Sequence, residues 1–250
     1  MRTLIVTVAG AATRFNKDTE HDTLKCLYYK ESPKYSLLYQ ILDKSRELDK
    51  FIIVGGYLYN ELSDFVDNHL SEFKTKIELV FNPLFREFGS GYSLIKGVEF
   101  LDEATEEIVF VEGDLYFDTN SYKCILNSDK NMISVNREFI SADKAVAIYV
   151  NNNDKVFYIY DTDHASLSIP EPVKAIYNSA QIWKFNSLKI LQEVISSLDD
   201  LQIQGTNLEI IQGYFGMFSI DELTIIPVET WLNCNTVADY LNVYQILKSL

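Results

Sequence analysis

VTVAGAATRFNKDTEHDTLKCL, residues 6–27, begins as a strand and abruptly stops being one. Leu4 to Val8 is an apolar run, and Ala9-Gly10-Ala11-Ala12 follows it with side chains too small to shield the backbone. Bare amides at a strand end cradle anionic oxygens, so a triphosphate can sit there. Arg14 and Lys25 place cations on either side of a polar loop, Asn16 to Thr23, which suits a lid better than a core connection. Small residues after a first strand also occur in α/β folds with no nucleotide, so the stretch alone leaves both readings open.

Outward from it, helical and strand patterns alternate. Tyr35 to Leu48 carries Leu37, Leu38, Ile41, Leu42 and Leu48 near the helical period and leads into Phe51-Ile52-Ile53-Val54, a buried strand that stops at Gly55-Gly56. Asn60 is placed to cap a helix over Glu61 to His69, and Ile77 to Phe81 is a further strand. This alternation predicts a parallel sheet with covered faces and ligands beyond the carboxyl ends of its strands.

Asn82 to Ser93, NPLFREFGSGYS, sets Gly89-Ser90-Gly91 before a helix over Tyr92 to Phe100. It reads either as a helix start with Ser90 as N-cap or as a flat slot in which Gly89 and Ser90 take a base. Glu107 to Asp114, EIVFVEGD, is a strand ending in a carboxylate. Asp114 is poised there to hold Mg²⁺ beside a triphosphate, or is a turn residue after Gly113; Glu112 is a lesser candidate.

The middle of the chain reads as antiparallel. Residues 145–150 and 156–160 flank Asn151-Asn152-Asn153-Asp154, a strong turn signal. Ala175 to Trp183 is a strand interrupted by Asn178 and Ser179, which either satisfy nearby backbone or face a ligand. Leu188 to Leu198 is an amphipathic helix, and Leu223 to Val228 a strand. Thr236 with Asp239 reads as a capping box opening a terminal helix through Leu250.

Composition limits what the chain does. With 250 residues and 47% hydrophobic content it builds one substantial core, expected as a single domain over 1–250 with a flap at about 140–174. A formal charge of −14, from 22 Lys+Arg against 36 Asp+Glu, excludes general nucleic-acid affinity, which needs a basic face. Cys26, Cys124 and Cys234 form no C-x-x-C pair, so neither a disulfide framework nor a zinc site is indicated, and a reducing cytoplasm is the expected location. No stretch reaches the ~20 apolar residues of a membrane span.

Segments 6–27, 82–97, 108–114, 175–183 and 229–240 together resemble, in order, the sugar-phosphate and choline-phosphate nucleotidyltransferases. Those enzymes open with A-A-G-x-G-T-R and continue with P-K-x-L; here Ala12 replaces the second glycine and Leu24 the proline. Ala12 constrains the loop if a positive φ is needed there. Near the end they read W-x-E-I-D-T, where this chain has Asn233 and Asn235. The related acetylglucosamine-1-phosphate uridylyltransferases also use an Asn as the second metal ligand.

The resemblance implies a Rossmann-like GT-A-type α/β fold, a mixed sheet flanked by helices with a small β flap. It implies nucleotide contacts at Ala9, Gly10, Ala11, Ala12, Gly89, Ser90, Glu112 and Gly113, catalytic roles for Arg14 and Lys25, and Mg²⁺ at Asp114 and Asn235. Lys144, Asn178, Ser179 and Glu209 are expected acceptor contacts, though surface or structural roles stay open for each. The implied activity is CMP transfer from CTP to a small phosphorylated acceptor of the phosphocholine, phosphoethanolamine, phosphonate or phosphoglutamine class, serving capsule or other surface polysaccharide. A sugar-1-phosphate nucleotidyltransferase and a non-catalytic nucleotide-binding regulatory module are the alternatives, and an oligomer is compatible with each.

Overall fold

The computed structural model describes residues 1–142, 146–160 and 165–249. At its centre β1 (Arg2–Thr7) runs parallel to β2 (Lys50–Gly55) on one side and β4 (Glu107–Glu112) on the other, with Ile5 opposite Ile52 and Phe110. β3 (Ile77–Phe81) extends the parallel edge beyond β2. Beyond β4 the sheet changes sense. β9 (Val173–Phe185) is antiparallel to both β4 and β6 (Met132–Asn136), and β10 (Thr224–Pro227) is parallel to β6. The order β10-β6-β9-β4-β1-β2-β3 is therefore mixed, as expected, while its first-half strands are parallel.

Helices cover both faces. Residues 3–6 of β1 are all buried, which is the signature of a strand with a layer on each side. Leu4 and Val6 pack in the core with α1 (Leu37–Lys44), α2 (Tyr59–His69) and α4 (Thr119–Leu126); Ile5 points to α3 (Ser90–Glu99), α5 (Leu188–Ser197) and α7 (Asn207–Phe215). Period-two alternation sends neighbouring residues into opposite cores. α6 (Asp200–Gln204) leads into α7.

Three local expectations are corrected. α1 is shorter than Tyr35 to Leu48, because Pro33 starts a separate 3₁₀ turn and Ser36 caps the helix by accepting the Tyr39 amide at 3.2 Å. α2 begins before Asn60, behind Leu58 in the left-handed region at φ 49°, with no side-chain cap. Ser90 is not a cap either: it is the first residue of α3, and the backbone of the α6–α7 connection does the capping. The amides of Gly89 and Gly91 donate to the carbonyls of Gln204 and Gly205 at 2.8 and 3.2 Å. A Cβ on Gly89 would lie 2.3 Å from the Gly205 oxygen, so glycine is required by this approach.

The antiparallel hairpin forms where expected, as β7 (Ala147–Asn151) and β8 (Val156–Ile159). Asn151 holds its turn by accepting the amides of Asn153 and Lys155. β7 also pairs with the first half of β9, from Asn151 opposite Val173 to Ala147 opposite Asn178, so the hairpin continues the main sheet. β9 bends at Gln181, whose φ is 56°. A second, two-stranded ribbon joins β5 (Leu115–Phe117) to β11 (Trp231–Asn233), and α8 (Val237–Ser249) follows behind the Thr236–Asp239 capping box. Among the described residues no helix is long and apolar enough to cross a membrane.

Candidate active site

The carboxyl ends of β1 and β4 open on a cleft, and the small ribbon starts directly after Asp114 at its edge. Pairing of Asn233 with Leu115 brings the residues just outside the ribbon together, and the Cys234 amide donates to the Asp114 carbonyl at 2.8 Å. Asp114 and Asn235 thereby become neighbours. Lys25 arrives from a turn pinned by two buried flanks, Leu24 and Cys26, with the amides of Leu27 and Tyr28 both donating to the Leu24 carbonyl. Its Nζ donates to Asp114 Oδ2 at 2.6 Å and to Asn235 Oδ1 at 3.4 Å. Arg14 reaches the same amide oxygen, Nη2 to Oδ1 at 2.9 Å. It is projected there because the next residue, Phe15, is fully buried against Tyr28 beside Tyr240 and Tyr244.

Asn235 is oriented from behind. Its Nδ2 donates to Asn233 Oδ1 at 2.9 Å and its backbone amide to Asp239 Oδ2 at 3.0 Å, so its oxygen faces the cations. Asp114 Oδ1 is buried with no hydrogen-bond partner. An orphaned buried carboxylate oxygen is costly unless something fills it. With the Asn235 oxygen beside it, the donor set is all oxygen, which suits Mg²⁺. Among the described residues no three His, Cys, Asp or Glu side chains form a self-sufficient metal site, so a cation here would need further oxygens from water or ligand.

The cleft is lined by eight of the residues nominated from sequence: Ala9, Gly10, Lys25, Gly89, Ser90, Glu112, Gly113 and Asp114. Ala11 and Ala12 lie in the adjoining loop, Ala12 at φ 50°, a left-handed conformation adopted without glycine. That loop and the polar segment after it are tied down: Asn16 donates to the Ala11 carbonyl and accepts the Thr23 amide, and the Tyr57 hydroxyl donates to Asp22 at 2.5 Å. Gly113 packs so closely that a Cβ would meet Val8 Cγ1 at 2.3 Å.

Burial, then the charge of Asp114, pushes the Glu112 carboxyl up to about 7, against the opposing pull of Asn207 and Lys25. Asn207 Nδ2 donates to Glu112 Oε1 at 2.6 Å, and the Asn207 amide donates to Ser90 Oγ at 3.1 Å. Ser90, Asn207 and Glu112 thus form one connected floor. Asn207 is a residue that sequence reasoning missed, because nothing local distinguishes the first residue of a helix after Thr206. Phe85 and Phe88 were also missed, although both lie in the NPLFREFGSG segment and line the cleft. Burial raises the Cys26 thiol to about 12, so this cleft residue is no nucleophile near neutrality.

The described acceptor candidates, Asn178, Ser179 and Glu209, are not among the residues lining this cleft. Ser179 is fully buried and its hydroxyl accepts the Gln181 amide at 3.1 Å, which serves the bend of β9. Asn178 Nδ2 donates to the carbonyls of Glu138 and Phe139. Glu209 accepts the Tyr160 hydroxyl at 2.9 Å and Gln202 Nε2 at 3.4 Å. Lys144 lies outside the described residues.

Residues 21–247 match the family described as "Domain of unknown function (DUF6564)". No curated protein matches the sequence significantly. Among solved structures the fold is similar to the inositol-1-phosphate CTP transferase from T. maritima, with a TM-score of 0.69 and 17% identity over 98% of this chain and 96% of that one. It is also similar to a Bacillus anthracis protein, provisionally assigned as a glucose-1-phosphate thymidylyltransferase and solved with a sucrose. There the TM-score is 0.72 and the identity 14%, over 100% of this chain and 96% of that one. At these identities the likeness establishes the fold, a mostly parallel mixed sheet between helices.

Proposed function

We propose that this chain, which belongs to the DUF6564 family, is a Mg²⁺-dependent nucleotidyltransferase that moves CMP from CTP to a small phosphorylated acceptor and releases pyrophosphate. The observation that carries the reading is the convergence of Arg14, Lys25, Asp114 and Asn235 at the strand ends, joined by hydrogen bonds from Arg14 to Asn235 and from Lys25 to both Asp114 and Asn235. Likeness of fold to a CTP transferase supports CTP as the first donor to try. Phosphocholine, phosphoethanolamine, phosphonates and phosphoglutamine are the acceptors proposed, for modification of surface polysaccharide.

The reaction needs little covalent chemistry from the protein. An acceptor phosphate oxygen attacks the α-phosphorus in line; the new O–P bond forms as the bond to the bridging oxygen breaks, and that oxygen leaves with its electron pair on pyrophosphate. The nucleophile is already an anion, so no general base is required. Lys25 and Arg14 hold the triphosphate and offset charge that grows on the leaving oxygens. The amides after β1 receive phosphate oxygens, and the Gly89–Ser90 edge with Phe85 and Phe88 receives the base. Mg²⁺ bound by Asp114 and Asn235 supplies further charge neutralisation at the phosphates.

The test is pyrophosphate release with Mg²⁺, pairing CTP, UTP, ATP, GTP and dTTP with the proposed acceptors and with sugar-1-phosphates. CTP with a small phosphate is expected to turn over, and Asp114→Ala to lower that turnover by ~10³-fold or more. Turnover confined to sugar-1-phosphates assigns the alternative acceptor class. Tight nucleotide binding without turnover across the panel replaces the enzyme reading with a regulatory module.

A further inference from the structure

Of the three oxygens placed to hold a cation, Asp114 Oδ2 and Asn235 Oδ1 are already engaged by the protein's own cations, and only Asp114 Oδ1 is open. Lys25 Nζ lies 2.6 Å from Asp114 Oδ2 and 3.4 Å from Asn235 Oδ1, and Arg14 Nη2 lies 2.9 Å from that same Asn235 oxygen. Lys25 and Asp114 are both largely shielded, with side chains 23% and 17% exposed, so water screens their attraction poorly. Among themselves Arg14, Lys25, Asp114 and Asn235 carry no surplus negative charge to offer a divalent ion. An ion that binds oxygen at roughly 2.0–2.1 Å would also need the space the ammonium takes against Oδ2.

We propose that Lys25 is an internal placeholder for the divalent cation. In the nucleotide-free protein its ammonium holds Asp114, and it yields that carboxylate only when triphosphate oxygens offer it a stronger partner. Cation and nucleotide then bind as a linked pair, and the free protein is a poor cation binder. The buried, unpartnered Oδ1 of Asp114 marks the carboxylate as incompletely satisfied by Lys25 alone. Asn233 keeps the Asn235 oxygen turned toward the cluster in either state, because its contact is to Nδ2. The nucleotide half of this inference rests on the transferase reading; the occupation of the cation seat by Lys25 in the free protein does not.

Mn²⁺ titration of the full chain, read from the EPR signal of the free hexaaqua ion, tests it. Without nucleotide, Lys25→Met is expected to bind Mn²⁺ at least tenfold more tightly than wild type, and adding Asp114→Asn to remove that gain. Added CTP should tighten Mn²⁺ strongly for wild type and much less for Lys25→Met. Unchanged or weaker nucleotide-free Mn²⁺ affinity in a folded Lys25→Met overturns the proposal. A measurement on the wild-type residue stands beside it, should Lys25→Met fail to fold. With lysines reductively ¹³C-methylated and the Lys25 resonance assigned by its loss in Lys25→Arg, that signal should move on addition of CTP. A signal unmoved by saturating CTP and diamagnetic Mg²⁺ means that Lys25 never leaves Asp114, and sinks the idea. Failure of every nucleotide to bind would instead break the transferase reading, leaving the nucleotide-free comparison to stand or fall by itself.

Discussion

Around the ends of β1 and β4, side chains touch across as many as 221 positions of sequence, as Arg14 does with Asn235, and one buried oxygen of Asp114 is left unsatisfied. Around the bend of β9 the polar groups are closed on the local framework: Ser179 on the amide two residues ahead, Asn178 on two carbonyls of the loop after β6. The first region was nominated for a small-residue loop with charges at the strand ends, the second for polar residues interrupting an apolar run. The difference teaches that interruption by itself does not mark a site. A cluster of partly buried opposite charges contributes little net stability against an apolar alternative, so its presence asks for another reason. Saturated amides in a strand carry their reason with them.

The largest test of that contrast sets a cation of the first region against Glu209 of α7, an acceptor candidate closed on its neighbours as Asn178 and Ser179 are. Lys25→Ala should lower kcat by ~10²-fold or more, as loss of a preorganised charge contact does, while Glu209→Gln should stay within a few-fold if Glu209 only holds Tyr160. Steady-state kinetics with CTP decides both. A Lys25→Ala variant within a few-fold of wild type would break the contrast; a Glu209→Gln variant with a raised acceptor KM would sharpen it by giving Glu209 a cationic acceptor to hold.

A lysine elsewhere lacks the partner that Lys25 has. Lys44 Nζ sits 4.6 Å from the centre of the Tyr116 ring and donates to Gln40 Oε1, and burial pulls its pKa down to about 8. A folded-state value below the unfolded one means that the charged form destabilises the fold below pH 8, and that the penalty fades as pH rises from 8 toward 10.5. Lys44→Met should therefore stabilise at pH 7 by about 2 kcal/mol, with the advantage over wild type shrinking by pH 10. Urea melts at the two pH values check it; an advantage independent of pH would assign the gain to packing. The smallest effect is expected at Ala12. Relief of its left-handed backbone by Ala12→Gly should add about 1 kcal/mol or less, read as a shift in the urea midpoint without loss of turnover.

Much of this architecture was legible beforehand. The strand Ile77–Phe81 has the expected ends, and the hairpin turns at Asn151–Asp154, because short apolar runs bounded by turn residues admit few alternatives. Legibility failed where a distant segment decided a local outcome. Gly89 and Gly91 are capped by carbonyls of residues 204 and 205, more than a hundred positions away, and no local pattern announces that. Asn207 escaped notice likewise, since its contacts with Glu112 and Ser90 exist only in three dimensions. Arg14, Lys25 and Asp114 stood out because charges beside a small-residue loop and at a strand end are visible along the chain itself. The acceptor side offered no such template, and there sequence pattern could not separate strand maintenance from recognition.

The ribbon of β5 and β11 also sets a timetable. Asp114 is made early in translation, but the strand that pairs with its neighbours and the amide of Asn235 come at residues 231–235, and α8 then closes over Phe15 through Tyr240 and Tyr244. A nascent chain halted before that point carries Arg14 and Lys25 without the Asn235 oxygen they meet. Assembly of the cluster therefore waits for residues 231–235, so a product truncated before them would lack it however well its first parallel strands had formed.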